Sequence, residues 1–133
     1  MILVDSSVWI DLLRGGDTAA GRRLAELATT PDVIATTEPV LMEVAAGAVG
    51  QIALQRIERL FSSVPLLSVS VTSDFKDAAL LYRAAREAGF TVRALTDCLI
   101  AAVALRTAST VLHKDADYVA LASIAPLRHE DVR

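Results

Sequence analysis

Hydrophobic positions along the chain alternate between two kinds of pattern. Short runs rich in Ile, Leu and Val, at residues 2–5, 33–36, 66–71 and 110–113, predict strands, with Pro126-Leu127 adding a final edge strand. The first run, Ile2-Leu3-Val4, is apolar at every position before Asp5, the character of a strand buried on both faces of a parallel sheet. Between these runs the apolar residues recur at intervals of three and four. Ser6-Ser7 can cap a helix through Val8, Trp9, Ile10, Leu12 and Leu13, and Thr18 to Ala28 carries Ala20, Leu24, Leu27 and Ala28 at helical spacing. Thr36 or Thr37 can cap the next helix, with Pro39 in its first turn and an end near Gly47; Ile52, Leu54, Ile57, Leu60 and Phe61 follow Gly50 in another. Ser73-Asp74 opens a long helix with Phe75, Ala78, Ala79, Tyr82 and Ala85 inward, stopped by Gly89, and Asp115 begins a short one through Leu121. Strands separated by helices predict an α/β chain: a three-layer α/β/α sandwich with a central, mainly parallel sheet of four to five strands.

One stretch breaks the amphipathic rule. From Cys98 to Leu105 no residue is polar, and a helix that is apolar all round must lie inside the protein. Asp97 stands at its start. With Thr96 as cap, its carboxylate falls in the first turn, where free N–H groups and the helix dipole favour a negative charge. Alone, Asp97 is explained as a capping acid. It is not alone: Asp5 ends the first strand, Glu43 interrupts Val40-Leu41-Met42 and Val44-Ala45-Ala46, and Asp115 and Asp117 follow Val111-Leu112-His113. Ligands of open parallel sheets bind beyond the carboxyl ends of the strands, so Asp5 and Asp115 can converge on one crevice. Turn chemistry accounts for any one of these acids; a common cation accounts for all of them.

Composition narrows the field. A chain of 133 residues, 53% of them hydrophobic, fits one domain over 1–133 with a substantial core. The lone cysteine, Cys98, lies in the apolar helix and reads as a small core residue of a protein in a reducing cytoplasm. No basic segment precedes the first apolar residues, so no signal peptide is expected, and no apolar run approaches the length of a membrane span. A mean hydropathy of +0.46 points to an apolar interface with a partner or a second subunit. The net charge of −3 does not favour nucleic acid in bulk. The cations are nevertheless mostly arginines, Arg22 and Arg23, Arg56 and Arg59, Arg83 and Arg86, then Arg93, and a guanidinium suits bidentate phosphate contacts. Pair by pair they also read as solvated helix faces. Lys76, Arg106 and Lys114 form no pattern.

Several acids without ligand-spaced histidines or cysteines favour a hard cation, Mg²⁺ or Mn²⁺, over zinc; His113 and His129 stand isolated in the sequence. On this reading Asp5 and Asp97 bind the principal metal, Asp115 and Asp117 complete its shell or hold a second, and Glu43 orients the attacking water or ligates through it. A phosphatase with an aspartyl nucleophile would also place an Asp after the first strand. Its pattern has a second Asp two residues on, where this chain has Ser7. A non-catalytic receiver-like or scaffold module is the other alternative, opposed by the presence of every acidic position.

The opening Met-Ile-Leu-Val-Asp-Ser-Ser-Val-Trp-Ile-Asp-Leu-Leu-Arg, the Glu43 helix, the block from Thr96 to Ala102 and the block from Lys114 to Tyr118 together resemble the PIN-domain family, in particular its VapC-type toxins. The resemblance spans essentially the whole chain. It implies a PIN-like fold and an endoribonuclease dependent on Mg²⁺ or Mn²⁺, paired with a VapB-type antitoxin and usually a homodimer; a PIN-fold nuclease that is no toxin is the alternative within the family. Its acidic cluster maps onto Asp5, Glu43, Asp97 and Asp115, with Asp117 a fifth member and Ser7 a polar neighbour. Two positions depart: Ser6 stands where threonine is frequent, and Tyr118 where phenylalanine is common. An antitoxin of this kind is expected to aim an arginine at the carboxylates and to dock apolar residues around Trp9, Leu12, Leu13 and Ile52 to Phe61.

Overall fold

Residues 1–133 are described by a computed structural model. The chain runs β1 (Ile2–Val4), α1 (Ser6–Leu13), α2 (Ala19–Leu27), β2 (Ile34–Ala35), α3 (Glu38–Ala46), α4 (Gln51–Phe61), α5 (Asp74–Glu87), α6 (Leu95–Thr107), β3 (Thr110–His113), α7 (Ala116–Ile124) and β4 (His129–Asp131). The four strands form one wholly parallel sheet in the order β2-β1-β3-β4, flanked by the helices in an α/β/α arrangement. Val4 pairs with Leu112, and the Asp5 N–H donates to the Leu112 carbonyl at 2.9 Å. The carboxyl ends of β1 and β3 therefore leave the sheet side by side, which brings Asp5 next to the turn that carries Asp115.

Helix α6 is the centre of the packing. Cys98, Ile100, Ala101, Ala102, Val103 and Ala104 are all buried, as its uniformly apolar sequence requires. They join the fully buried strand residues Leu3, Val4, Val111 and Leu112, and Trp9 and Tyr118, in one hydrophobic cluster. Trp9, 1% exposed, meets Phe61 edge-on at 4.7 Å between ring centres, so it is core and not docking surface.

Several local expectations give way to longer-range contacts. The strand predicted at 66–71 is reduced to a single parallel bridge between Thr36 and Leu66. Beyond it the backbone finds side chains instead of a ladder: Val69 N–H donates to Glu38 at 2.7 Å, Ser70 N–H to Asp74 at 2.7 Å, and Arg106 donates to the Ser68 carbonyl at 2.7 Å. Leu127 is buried, but its N–H is taken by the Ala125 carbonyl, and the edge strand begins at His129, three residues later than predicted. On α5, Ala78 and Ala85 face inward as expected and Tyr82 lies half-buried; Phe75 and Ala79 face solvent. The helix is turned to bury Asp74, which is 0% exposed and accepts from Arg106 of α6 at 2.9 to 3.2 Å. Arg106 is thus the buried acid's counter-charge, a role that its position in the sequence does not suggest, and Lys114 likewise pairs with Asp11 at 2.5 Å.

Candidate active site

Each strand of the central pair delivers an acid by the same local device. Asp5 follows β1 in extended backbone and caps α1, accepting from the Ser7 N–H at 3.2 Å and the Ser7 hydroxyl at 2.6 Å. Asp115 follows β3, caps α7 and accepts from the Asp117 N–H at 2.9 Å. An acid has more acceptor capacity than serine and leaves the strand directly, so Asp5 caps where Ser6-Ser7 were predicted to. Lys114 N–H donates to Ser7 Oγ at 3.3 Å and ties the two turns together.

The α6 end is built differently. Ala94, not Thr96, is the cap residue, and its side chain offers no acceptor. Asp117 supplies one from across the site: its Oδ2 accepts from the N–H groups of Arg93 at 3.0 Å and Ala94 at 3.2 Å. Asp97 lies in the first turn of α6 as expected, 6% exposed. Carboxylate oxygens of Asp97, Asp115 and Asp117 all lie within 4.8 Å of one another. Asp5 reaches this trio through Tyr118, whose buried hydroxyl donates to Asp5 Oδ1 at 2.7 Å and lies 3.4 Å from Asp97 Oδ1. Glu43, half-buried on α3, accepts from the Ser6 hydroxyl at 3.3 Å. All the acids read from the sequence thus gather beyond the carboxyl ends of β1 and β3, with Asp97, Asp115 and Asp117 as the tightest group.

Crowding of like charges away from water dictates the electrostatics. Burial, the Asp117 carboxylate, which would accept from the protonated form, and the charges of Asp5, Asp115 and Asp117 push the Asp97 carboxyl up to about 9. Glu43 is also raised, by burial and by Asp5 and Asp115. Tyr118, held well above its ordinary range by burial and by Asp5 and Asp97, keeps its proton and stays a donor. Asp97 Oδ2 is buried without any hydrogen-bond partner, an uncommon and costly condition for a carboxylate oxygen. Together with an all-oxygen donor set, that orphaned atom fits a hard cation.

The histidines are not isolated in space. His113 Nε2 and His129 Nδ1 are 2.9 Å apart, and His113 Nδ1 accepts the Asp115 N–H at 3.0 Å. Burial lowers the proton affinity of His113, so the neutral ring donates from Nε2 and fixes the Asp115 turn through Nδ1. Both rings have partners already and hold the site's frame. Cys98, adjacent to Asp97, is buried with its thiol pushed up to about 11, which makes it inert core.

Sequence reasoning missed the part of Tyr118, noted only as a departure from phenylalanine. A hydroxyl in place of a ring hydrogen next to two acids was the signal. Tyr118→Phe retains the ring and leaves Asp5 without its buried donor, an expected loss of about 1–3 kcal/mol in EDTA. Thermal unfolding checks this; an unchanged midpoint would show that the hydroxyl carries no load.

Comparison with known proteins places these features in a family. A sequence model described as PIN domain matches residues 2–124. The VapC ribonuclease Mb1587 of Mycobacterium bovis and the Ribonuclease VapC11 of Mycobacterium tuberculosis are each 40% identical to this chain over 134 residues, with the whole of both chains covered. Among solved structures, VapBC-5 of Mycobacterium tuberculosis, described as a member of the VapBC family of toxin-antitoxin systems, superposes with a TM-score of 0.67 at 26% identity, covering 98% of this chain and 97% of that one.

Proposed function

The chain belongs to the PIN-domain family, and from that premise we propose that it is a divalent-metal-dependent endoribonuclease, the toxin of a VapBC-type pair, with residues 1–133 as one catalytic domain. The observation that carries the reading is the partnerless, buried Asp97 oxygen inside the Asp97-Asp115-Asp117 group, at the carboxyl end of a parallel sheet. Asp97, Asp115 and Asp117 would hold Mg²⁺ or Mn²⁺, with Asp5 joined to them through the Tyr118 hydroxyl. Such a cation supplies positive charge against the negative charge that develops on a phosphoryl oxygen during in-line displacement.

The chain's own groups do the rest. Tyr118 and Ser7 fix the two oxygens of Asp5, so its carboxylate cannot rotate away from the trio. Glu43, with proton affinity raised by burial, suits a general base that accepts a proton from the attacking water. Its carboxylate is held by the Ser6 hydroxyl, one residue along from Asp5. An enzyme of the cytoplasm accords with the free, buried Cys98, and no helix is long and apolar enough to cross a membrane.

The antitoxin reading rests on an apolar concavity between α1, α3 and α4, lined by Ile10, Leu13, Val44, Ala48, Val49 and Ile57. Val49, one of its lining residues, is 91% exposed. Val44 follows Glu43 on α3, so a VapB-type segment seated there has the acidic crevice within reach of a guanidinium. The test of catalysis is direct. Purified protein should cut a defined stem-loop RNA in Mg²⁺ or Mn²⁺ and leave it whole in EDTA; undiminished cutting in EDTA, or none in either metal, would reject the proposal.

A further inference from the structure

Arg93 stands at the rim of the acid group and no role described so far uses its side chain. Its backbone is held on both sides: Val92 is buried, and the N–H groups of Arg93 and Ala94 both donate to Asp117. The side chain is not held. It is 75% exposed, with Nη2 at 3.7 Å from Asp115 Oδ1 and Nε at 4.0 Å from Asp117 Oδ1. Charge-assisted pairs that matter structurally are shorter, as Arg106 with Asp74 at 2.9 Å and Arg23 with Glu130 at 2.7 Å show in this same chain. Arg93 therefore lies loosely over two carboxylates, and an exposed pair of that geometry costs little to part.

A cation entering the trio would lie close to the guanidinium and repel it. Released, Arg93 remains anchored at its Cα beside the crevice and keeps a planar fork suited to a phosphate. The molecule also has use for such a group, because its net charge is −3 and its acids are gathered where the RNA backbone must pass. We propose that Arg93 is an RNA-binding residue with two alternating partners, the Asp115 and Asp117 carboxylates in the metal-free protein and a substrate phosphate next to the scissile one when the cation is bound. This inference rests on the nuclease reading above.

The two partners give opposite expectations for one substitution. In Arg93→Gln, Mn²⁺ titrated calorimetrically without RNA should bind about 3- to 10-fold tighter, because a neighbouring positive charge at near 4 Å has gone. The same variant should bind a short fluorescent RNA in Ca²⁺ about 10-fold more weakly, with a slope of log affinity on log salt smaller by about 0.7, the loss of one single-strand phosphate contact. Arg93→Lys should keep the salt slope. Arg22→Gln, which removes the same charge from the exposed pair that Arg22 of α2 makes with Asp17, should leave both measurements at wild type. Mn²⁺ affinity no tighter than wild type, or RNA affinity no weaker than that of Arg22→Gln, would overturn the inference for Arg93. A wild-type protein that binds no Mn²⁺ would instead overturn the metal site itself, so the two failures are distinguishable.

Discussion

Asp97→Asn is expected to reduce RNA cleavage by roughly 10²- to 10³-fold while leaving the fold intact. The amide keeps the shape of the carboxyl and its place in the first turn of α6, but it removes a buried charge from the trio. A catalytic cation contributes several kcal/mol of transition-state stabilisation, and each 1.36 kcal/mol corresponds to about tenfold in rate, which sets the expected range. Asp5→Asn should act in the same direction, since Tyr118 and Ser7 would then orient a neutral group. Initial rates in saturating Mn²⁺, with circular dichroism to confirm the fold, provide the check. Activity of Asp97→Asn within a factor of about three of wild type, a difference near 0.6 kcal/mol, would remove Asp97 from the site.

The second large effect is on the stability of the metal-free protein. The Asp97 carboxyl is raised to about 9 in the folded state, against roughly 3.9 in an unfolded chain. Between those values the native state holds a proton that the unfolded state has released, so stability is complete below pH 4 and falls as pH rises towards 9. The full slope is about 1.36 kcal/mol per pH unit. His113, with lowered proton affinity, acts in the opposite sense near its unfolded range of about 6.5, and Cys98, its thiol raised to about 11, acts in the same sense as Asp97 once pH approaches its unfolded value of about 8.5. Cys98 is common to both proteins, so the difference between wild type and Asp97→Asn from pH 7.5 to 9 isolates Asp97.

In EDTA the wild-type melting temperature should fall across that window more steeply than that of Asp97→Asn. Four pH units of proton uptake by pH 8 imply roughly 5 kcal/mol; relaxation and water reduce this, and Asp97→Asn is expected to be more stable by about 2–4 kcal/mol. At roughly 3–4 °C per kcal/mol for this chain length, the difference is readily measured by calorimetry. Added Mn²⁺ should raise the wild-type midpoint more than the variant's, since binding to the native state alone stabilises it. Parallel melting curves for the two proteins from pH 7.5 to 9 would mean that Asp97 is an ordinary cap with no unfavourable neighbours.

How far the chain can be read without its structure depends on whether the deciding contact is local. Periodicity and composition are local, and they located α6, its burial, the break at Gly89 and the short strands before Asp5 and Asp115. They also singled out Asp5, Glu43, Asp97, Asp115 and Asp117, because a charge interrupting or ending an apolar run stands out wherever its partners lie. The family was legible for the same reason: its motifs are short blocks of charged and apolar residues at the ends of core elements.

Contacts made across the fold were beyond that reach. The stretch 66–71 has the composition of a strand, but its N–H groups meet Glu38 and Asp74, and its Ser68 carbonyl meets Arg106 some 38 residues away. Asp117 caps a helix that begins 22 positions before it, so neither Thr96 nor any other local residue had to. The pairing of His113 with His129, the hydroxyl of Tyr118 between Asp5 and Asp97, and the loose seat of Arg93 likewise exist only once β1, β3, α6 and α7 are packed together. By itself the sequence determined which residues carry charge into the core and on which kind of element each sits, since burial pattern and capping chemistry act over a single helical turn. Only the tertiary structure decided which acids come within 4.8 Å, which oxygen is left without a partner and which proton is held against neutral pH. Desolvation and like-charge repulsion depend on distances between elements far apart in the chain, and no pattern within one element records those distances.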